Sequence, residues 1–236
     1  MIERIGRRLR ATRRCFLQAG GTWLAGTLMP GLHSQARAAN GFTVPEESRL
    51  QSQVWMSWPA SATIWGSSLL KKMQADVATL ARTLAKYEPV TMIADGPTHA
   101  QNARNKIGST VFPVTVLSTI PTNDMWMRDI GPVFRRNGAG ALDCIDLRFN
   151  GWGGKQIHSK DALVAGRVAT YLGLPITRST VVGEGGGVIH DGDGTLIATE
   201  SCWVNANRNP GKTRAQVEAQ LLSLYGATKM IWCTGL

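Results

Sequence analysis

Apolar residues recur along the chain with two spacings, and each spacing predicts one kind of element. Spacing by three and four positions predicts helices over residues 67–88, 99–107, 160–172 and 213–225. The clearest stripe belongs to the first of them and consists of Leu69, Leu70, Met73, Val77, Leu80 and Leu84. Gly173 and Gly226 follow the last two helices, in the position where glycine commonly ends a helix.

Short apolar runs between these helices predict strands. They cover residues 53–58, 90–94, 111–117, 133–134, 141–147, 180–182, 188–190, 196–199 and 230–233. Glycine-rich turns at residues 137–140 and 191–195 predict two hairpins. Strands that alternate with helices indicate an α/β chain with recurring strand–helix–strand units. Periodicity alone does not separate an open sheet from a propeller-like array.

The distribution of charge argues against nucleic acid binding. The formal net charge of the 236 residues is +10. Residues 1–38 hold seven arginines and one glutamate, a net of +6, which leaves only +4 for the remaining residues. That remainder shows no stripe of Lys and Arg, so it is typical of a mildly basic enzyme domain.

The first 38 residues are expected to be a twin-arginine signal peptide. A basic segment is followed by residues 12–17 (Thr-Arg-Arg-Cys-Phe-Leu), which resemble the twin-arginine signature, and by a diluted apolar stretch. Ala36-Arg37-Ala38 fits a cleavage site, so residues 39–236 would form the mature domain. This predicts the twin-arginine export machinery as a partner and a periplasmic or secreted location. No stable membrane anchor is predicted.

Residues 122–132 concentrate the candidate chemistry. They contain two carboxylates, an arginine, a tryptophan and a Gly-Pro stop. In an extended segment Asp124 and Trp126 would share a face, while Arg128 and Asp129 would diverge. An aromatic plane beside carboxylates suits a flat guanidinium cation, which stacks on rings and pairs with carboxylates. The alternative is a buried tryptophan with a structural Arg–Asp pair.

Residues 124–132 (Asp-Met-Trp-Met-Arg-Asp-Ile-Gly-Pro) resemble the signature of the agmatine deiminase family, which is related to the Porphyromonas-type peptidyl-arginine deiminases. Other stretches resemble the family in the same order. They are residues 54–59 with 64–66, residues 149–154, residues 184–186 with 191–195, and residues 205–210. The resemblance covers the chain from about Val54 to its last residue.

This resemblance implies an α/β-propeller (pentein) fold of ββαβ modules, with about three of five modules in this chain. It implies that Asp129 is a catalytic residue that binds the guanidinium of a small-molecule substrate. Trp126 and Trp152 are implied as walls of the site, and Glu184 as a further acidic partner of the substrate. Asp124, which would share a face with Trp126 in an extended segment, is a further candidate substrate-binding residue. The resemblance implies a reaction without metal or cofactor, namely hydrolysis of agmatine to N-carbamoylputrescine and ammonia in putrescine biosynthesis.

Two parts of the family's chemistry are missing from these 236 residues. The family uses a thiolate to attack the guanidinium carbon and a histidine to move protons, in a Gly-His-x-Asp segment and a late cysteine segment. Neither segment occurs here, and Cys144, Cys202 and Cys233 stand in apolar or β-like contexts that predict buried structural cysteines. The chain therefore resembles the first three-fifths or so of a deiminase. It is expected to be inactive by itself and poorly stable.

Two other functions remain open from the sequence. The first is a peptidyl-arginine deiminase that acts on arginine in exported proteins. The second is a non-catalytic protein that binds guanidinium or polyamine-like cations. The oligomeric state, including a homo-oligomer, and the pairing of the three cysteines also remain open.

Residues 183–187 (Gly-Glu-Gly-Gly-Gly) do not have the spacing of a phosphate loop. We expect these glycines to permit a close backbone approach while Glu184 is presented to a ligand, with a plain glycine turn as the alternative. The histidines at positions 33, 99, 158 and 190 show no pair at helical ligand spacing, so no metal site is predicted.

Overall fold

The computed structural model describes residues 41–235. The predicted signal peptide, residues 1–38, lies outside the described residues and stays a prediction. No helix in the described part of the chain is long and apolar enough to cross a membrane.

The first sheet contains three parallel strands in the order β1–β2–β3. The strands are β1 (Val54–Ser57), β2 (Val90–Ile93) and β3 (Val114–Leu117). The intervening helices are α1 (Ala62–Trp65), α2 (Ser67–Leu84) and α3 (Gly96–Ile107). Because parallel strands cannot be joined by a tight turn, α2 and α3 serve as the crossovers. Their apolar faces pack on Met92 and Val90 in one core cluster.

The second sheet has the order β4–β5–β6, with an antiparallel pair followed by a parallel pair. Its strands are β4 (Val133–Arg136), β5 (Leu142–Asp146) and β6 (Ile176–Arg178). The one-turn helix α4 (Met127–Ile130) precedes this sheet, and α5 (Gly151–Gly154) and α6 (Val164–Leu172) lie between β5 and β6. A 3₁₀ turn, Asp161–Leu163, leads into α6.

The third sheet repeats this pattern with β7 (Val188–His190), β8 (Thr195–Thr199) and β9 (Lys229–Cys233). The helices α7 (Glu200–Trp203) and α8 (Arg214–Tyr225) lie between β8 and β9. A capping box between Thr213 and Gln216 begins α8, and Gly226 ends it in the left-handed conformation that was predicted. Gly173 ends α6 in the same way.

The second and third sheets therefore have the predicted ββαβ order, and both predicted hairpins are confirmed. The first sheet departs from that order, since it runs βαβαβ with all strands parallel. The predicted strand at residues 180–182 is wrong. The strand lies at Ile176–Arg178, where it pairs with β5, and Val182 is instead held in a loop by two backbone hydrogen bonds with the Asn209 side chain.

A short strap of chain ties the second sheet to the third. The backbone of Thr43 exchanges two hydrogen bonds with Arg136 of β4, at 3.0 and 2.9 Å. The next amide, Val44 N–H, donates to the carbonyl of Tyr225 at the end of α8, at 3.1 Å. Gly226 has no side chain where the Phe42 carbonyl approaches, since a Cβ there would lie 2.5 Å from that oxygen.

One face of the third sheet is left exposed among the described residues. Val188, Leu196 and Ala198 face α8 and are buried with it. On the opposite face Ile189, Ile197 and Ile231 stand opposite one another in register across the three strands. Their exposed fractions are 67%, 36% and 40%. An apolar row of this kind is unusual on a surface that only meets water.

Candidate functional site

The segment that carries most of the candidate residues is not extended, as the sequence suggested, but turns into α4. Trp126 stands at the N-terminus of this helix and Asp129 in its only turn. Gly131 and Pro132 then lead into β4. The helical turn separates Asp124 from Asp129, so the two carboxylates have different partners.

Asp124 is buried and fully engaged with the chain itself. One carboxylate oxygen accepts from the Trp65 indole N–H at 2.8 Å and from the Met125 amide at 2.8 Å. The other accepts from the Gln156 side chain at 2.9 Å. With 1% of its surface exposed and three accepted hydrogen bonds, Asp124 fixes the side chains and backbone around it. Direct contact between Asp124 and a substrate stays a prediction.

Trp126 forms a surface pair with Trp65. Their ring centroids lie 6.3 Å apart with planes inclined by 33°, and Trp126 is 43% exposed. Because Asp124 holds Trp65 through the indole N–H, the buried carboxylate fixes one member of this pair. The pair forms an exposed aromatic surface at the start of α4.

Arg128 does not form the structural Arg–Asp pair that was the alternative interpretation. Its guanidinium pairs with Glu47 at 2.6 Å, and both side chains are mostly exposed. Asp129 is therefore left for other partners.

Asp129 lies half-buried between α5 and the glycine turn. Its Oδ2 accepts from the Trp152 indole N–H at 3.2 Å, and its Oδ1 accepts from the Gly186 amide at 3.1 Å. Burial raises the pKa of Asp129 above its ordinary 3.8, opposed by these two hydrogen bonds and by the positive charges of Arg128 and Arg208. The structure thus brings Asp129 and Trp152 together, although they are 23 positions apart.

Trp152 is held in an uncommon backbone conformation. Its φ of 56° lies in the left-handed region, which a bulky residue rarely adopts. The Asn150 side chain accepts from the Gly153 amide at 2.9 Å, and the Phe149 ring meets the indole edge-on at 4.9 Å. These contacts fix the orientation in which the indole donates to Asp129.

The glycine-rich stretch makes the close approach that the sequence predicted. Residues Gly185–Gly187 form a 3₁₀ turn, and the strand β7 follows it. A Cβ on Gly185 would lie 2.5 Å from the Arg128 carbonyl oxygen, and a Cβ on Gly186 would overlap Oδ1 of Asp129. The absence of side chains at these two positions lets the turn reach α4.

Glu184 enters the same region from the start of this turn and is buried. Its Oε1 accepts from Arg208 Nη2 at 2.6 Å, while its Oε2 is buried with no hydrogen-bond partner among the described residues. Burial raises the pKa of Glu184 above its ordinary 4.5. Arg208 opposes that rise, and the negative charge of Asp129 adds to it.

The structure adds two residues to the site that the sequence did not assign to it, Arg208 and Cys202. Arg208 lies in the stretch 205–210, whose resemblance to the family was noted without a role. Cys202 lies with its Sγ 3.5 Å from Glu184 Oε1 and 3.4 Å from Arg208 Nη1. Nothing in the spacing of these residues along the chain indicates that they meet, so only the fold identifies them.

None of the three described cysteines is paired in a disulfide. Burial raises the pKa of Cys144 to about 12, and burial with the nearby Glu184 charge raises that of Cys202 to about 11. Both environments disfavour a thiolate nucleophile. The prediction of a buried cysteine is confirmed for Cys144, holds only in part for the half-buried Cys202, and is wrong for Cys233, which is exposed at the end of β9.

No group of three or more His, Cys, Asp or Glu side chains suited to a metal ion occurs in residues 41–235. A broad open cavity of about 1370 Å³ lies beside the strap and is lined in part by Glu47, His190 and Tyr225. Its lining includes Arg128 of α4 and Gly185 of the glycine turn but not Asp129 or Glu184, so it adjoins the candidate site without containing the two carboxylates.

Comparison with known proteins places this chain among deiminases. A family model for Porphyromonas-type peptidyl-arginine deiminases matches residues 43–236. A putative agmatine deiminase of Streptomyces coelicolor is 38% identical over 194 residues, which are 81% of this chain and 56% of that protein. The agmatine deiminase of Pseudomonas fluorescens is 36% identical over 211 residues, covering 86% of this chain and 55% of that protein.

Solved structures agree with these matches. An agmatine deiminase of Enterococcus faecalis superposes with a TM-score of 0.74 at 30% identity, over 82% of this chain and 53% of its own. A putative peptidyl-arginine deiminase superposes with a TM-score of 0.71 at 26% identity, over 82% and 57%. This similarity confirms the predicted α/β-propeller (pentein) class. The chain spans about half the length of the curated relatives it matches, and it belongs to the Porphyromonas-type peptidyl-arginine deiminase family.

Proposed function

We propose that this chain carries the guanidinium-binding part of an agmatine deiminase. That enzyme adds water to the guanidinium carbon of agmatine, breaks a C–N bond and releases ammonia, which leaves N-carbamoylputrescine. The observation that carries the proposal is the meeting of two carboxylates, Asp129 and Glu184, beside the indole of Trp152. The names of the similar proteins supply the choice of agmatine as substrate.

The charge of this cluster matches the single positive charge of a guanidinium group. Arg208 is the positive group paired with Glu184, so the ionised cluster of Asp129, Glu184 and Arg208 has a net charge of −1. Burial raises the pKa of both carboxyls, which means that each ionised carboxylate lacks part of its solvation. A guanidinium would neutralise the cluster and supply N–H donors, and Glu184 Oε2 is a buried acceptor without a partner among residues 41–235.

The proposed roles follow from these positions. Asp129 and Glu184 accept hydrogen bonds from the guanidinium, and Trp152 holds Asp129 in place through its indole N–H. Trp126 forms an aromatic wall at the surface together with Trp65. Asp124 is assigned an indirect role, because it is buried, accepts three hydrogen bonds within the chain and fixes Trp65 through one of them.

The 236-residue chain is expected to bind agmatine without hydrolysing it. Attack on the guanidinium carbon needs a thiolate, and the environments of Cys144 and Cys202 raise their thiol pKa values to about 12 and about 11. Cys233 lies exposed on β9. Ammonia release from agmatine by the purified chain would contradict this expectation.

Titration of the purified chain with agmatine by calorimetry tests the proposal. We expect agmatine to bind more tightly than putrescine, which has the same four-carbon spacing but no guanidinium. Asp129→Asn should weaken agmatine binding about tenfold or more, because a charge-assisted hydrogen bond to the cation is lost. Asp76→Asn, at an exposed position on α2, is the matched control and should have no effect.

Two results would contradict the proposal. One is agmatine affinity no greater than that of putrescine, and the other is equal affinity in the Asp129→Asn and Asp76→Asn proteins.

A peptide-arginine substrate is the second candidate, favoured by the description of the matching family. Tighter binding of an acetylated arginine amide than of agmatine would shift the proposal to that substrate.

A further inference from the structure

The loop of residues 205–210 is fixed internally by one asparagine side chain. Asn205 Nδ2 donates to the carbonyls of Ser201 and Cys202, at 3.1 and 2.9 Å. Its Oδ1 accepts from the amides of Asn207 and Arg208, at 3.1 and 3.0 Å. These four bonds tie the loop to α7 and hold Arg208 at a defined position.

The same loop is bonded to both segments that carry site residues. Asn209 exchanges two hydrogen bonds of 2.9 Å with the backbone of Val182, two residues before Glu184. The carbonyl of Asn207 accepts from the Asn150 side chain at 3.0 Å, at the turn that carries Trp152. The loop therefore lies between the segments that present Glu184 and Trp152.

Arg208 meets Glu184 in a buried, directed contact. Its Nη2 donates to Glu184 Oε1 at 2.6 Å, and its Nη1 donates to the Cys202 carbonyl at 2.6 Å. Only 9% of the Arg208 side chain and 6% of the Glu184 side chain are exposed. The planar guanidinium of Arg208 thus uses both Nη1 and Nη2 as donors, and its bond from Nη2 fixes Oε1 of the Glu184 carboxylate. The other oxygen, Oε2, is buried and has no partner among the described residues.

We propose that Arg208 is a positioning residue that holds Glu184 ionised and turned so that Oε2 is free to accept an N–H of the substrate guanidinium. This proposal rests on the proposed function. Arg208 acts through Glu184 and is not assigned a contact with the reacting atoms. An arginine that only packed the loop would not need to place its guanidinium against the buried carboxylate of Glu184.

The charged groups around Glu184 explain why an arginine is needed. The Cys202 thiol on α7 donates to Glu184 Oε1 at 3.5 Å, which favours the ionised form of Glu184. Asp129 faces Glu184 from α4, and its negative charge disfavours ionisation of Glu184. Burial acts in the same direction. Arg208 is the cation that opposes these effects. Without it Glu184 would take up a proton at a higher pH, and a neutral carboxylic acid does not attract a cation.

The first test measures the pKa of Glu184 by NMR in the 236-residue chain labelled with ¹³C at glutamate side chains, with Glu184→Gln to assign the resonance. Arg208→Gln should raise this pKa by about one unit or more, because an opposite charge at contact distance is removed. Arg208→Lys keeps the positive charge, so the pKa of Glu184 should stay close to its value in the unmodified chain. Arg214→Gln removes an exposed arginine that pairs with Glu200 at 2.7 Å, and it should leave Glu184 unchanged.

The second test measures agmatine affinity as a function of pH. Arg208→Gln should weaken binding about tenfold near neutral pH and regain affinity as the pH is raised and Glu184 ionises. Glu184→Gln should lose affinity at every pH, since it has no carboxylate to restore. A loop that is merely structural would give a loss in Arg208→Gln that does not change with pH.

The outcomes separate the two proposals. An unchanged Glu184 pKa in Arg208→Gln, or a loss of affinity that is independent of pH, would overturn the role of Arg208 while leaving the proposed function standing. Failure of the unmodified chain to bind agmatine would count against the proposed function, and the NMR result would still decide whether Arg208 sets the ionisation of Glu184.

Discussion

At the scale of single residues, Asp129 shows how the site is held ready for a cation. Both of its oxygens accept one hydrogen bond, at 3.1 and 3.2 Å, from groups that the backbone fixes. Each oxygen keeps a further lone pair for a ligand. The raised pKa shows that burial outweighs these two bonds, so the ionised form gains most when a positive partner arrives.

This balance predicts the pH dependence of agmatine binding. The pKa values of Asp129 and Glu184 both lie above their ordinary 3.8 and 4.5, so on the acid side both carboxyls are protonated in the free protein and binding is weak. Affinity should rise as the pH increases through these raised values, and agmatine should displace protons in that range because it favours the ionised forms. Calorimetry in buffers of different ionisation enthalpy measures the protons released.

The sign of this effect is specific to raised carboxyl pKa values. A site without titrating carboxyls would release no protons, and affinity that fell with rising pH would contradict the assignment. Asp129→Asn should reduce the number of protons released, while Asp76→Asn, on the exposed face of α2, should leave it unchanged.

At the scale of elements, the site depends on how closely the glycine turn at Gly185–Gly187 reaches α4. The turn places the Gly186 amide on Asp129 and carries Glu184 into the same cluster. No side chain fits between the turn and the helix. A single methyl group added to the glycine turn is therefore expected to affect the carboxylates of both Asp129 and Glu184.

Gly186→Ala should push Asp129 away from the turn, because the new Cβ would overlap its Oδ1. Because the overlapped atom is the end of a side chain, the overlap is relieved mainly by displacing the Asp129 carboxylate, at a small cost in unfolding free energy. We expect little change in melting temperature by calorimetry and agmatine affinity reduced about tenfold. Gly138→Ala, in the β4–β5 hairpin where a Cβ meets nothing within 4 Å, is the control. Equal behaviour of the two variants would show that the close approach is unimportant.

The elements also show what the sequence could predict. The long helix α2, the two hairpins and the glycine helix ends were predictable because they depend on local spacing and turn chemistry. The one-turn helix α4 was missed because four residues are too short to show a period. The Arg208–Glu184 pair joins positions 24 apart, and such pairs depend on the fold rather than on local pattern.

At the scale of the whole molecule, the exposed isoleucine row on the third sheet is the most unusual surface feature. Its three side chains lie in register across β7, β8 and β9, opposite the face that α8 covers. Apolar rows of this kind promote association between sheets in water. They also give a structural reason for the predicted poor stability, which itself remains a prediction.

We expect the purified chain to self-associate as its concentration rises, and sedimentation velocity measures this. Replacing Ile189 and Ile231 together by lysine should reduce association, because like charges would meet where apolar surfaces did. Leu50→Lys changes an isolated, fully exposed leucine and serves as the control. Monomeric unmodified protein at high concentration, or unchanged association in the double variant, would contradict this expectation.

The strap limits how far the chain can be shortened from its amino end. Phe42, Thr43 and Val44 join β4 to the end of α8 through three backbone hydrogen bonds and one close contact at Gly226. The predicted cut after Ala38 would remove nothing from this junction. Removing six residues beyond that cut, 39–44, would delete all three of these backbone hydrogen bonds and leave the two sheets joined by their shared core alone on this side, so only a few residues separate a harmless truncation from a destabilising one.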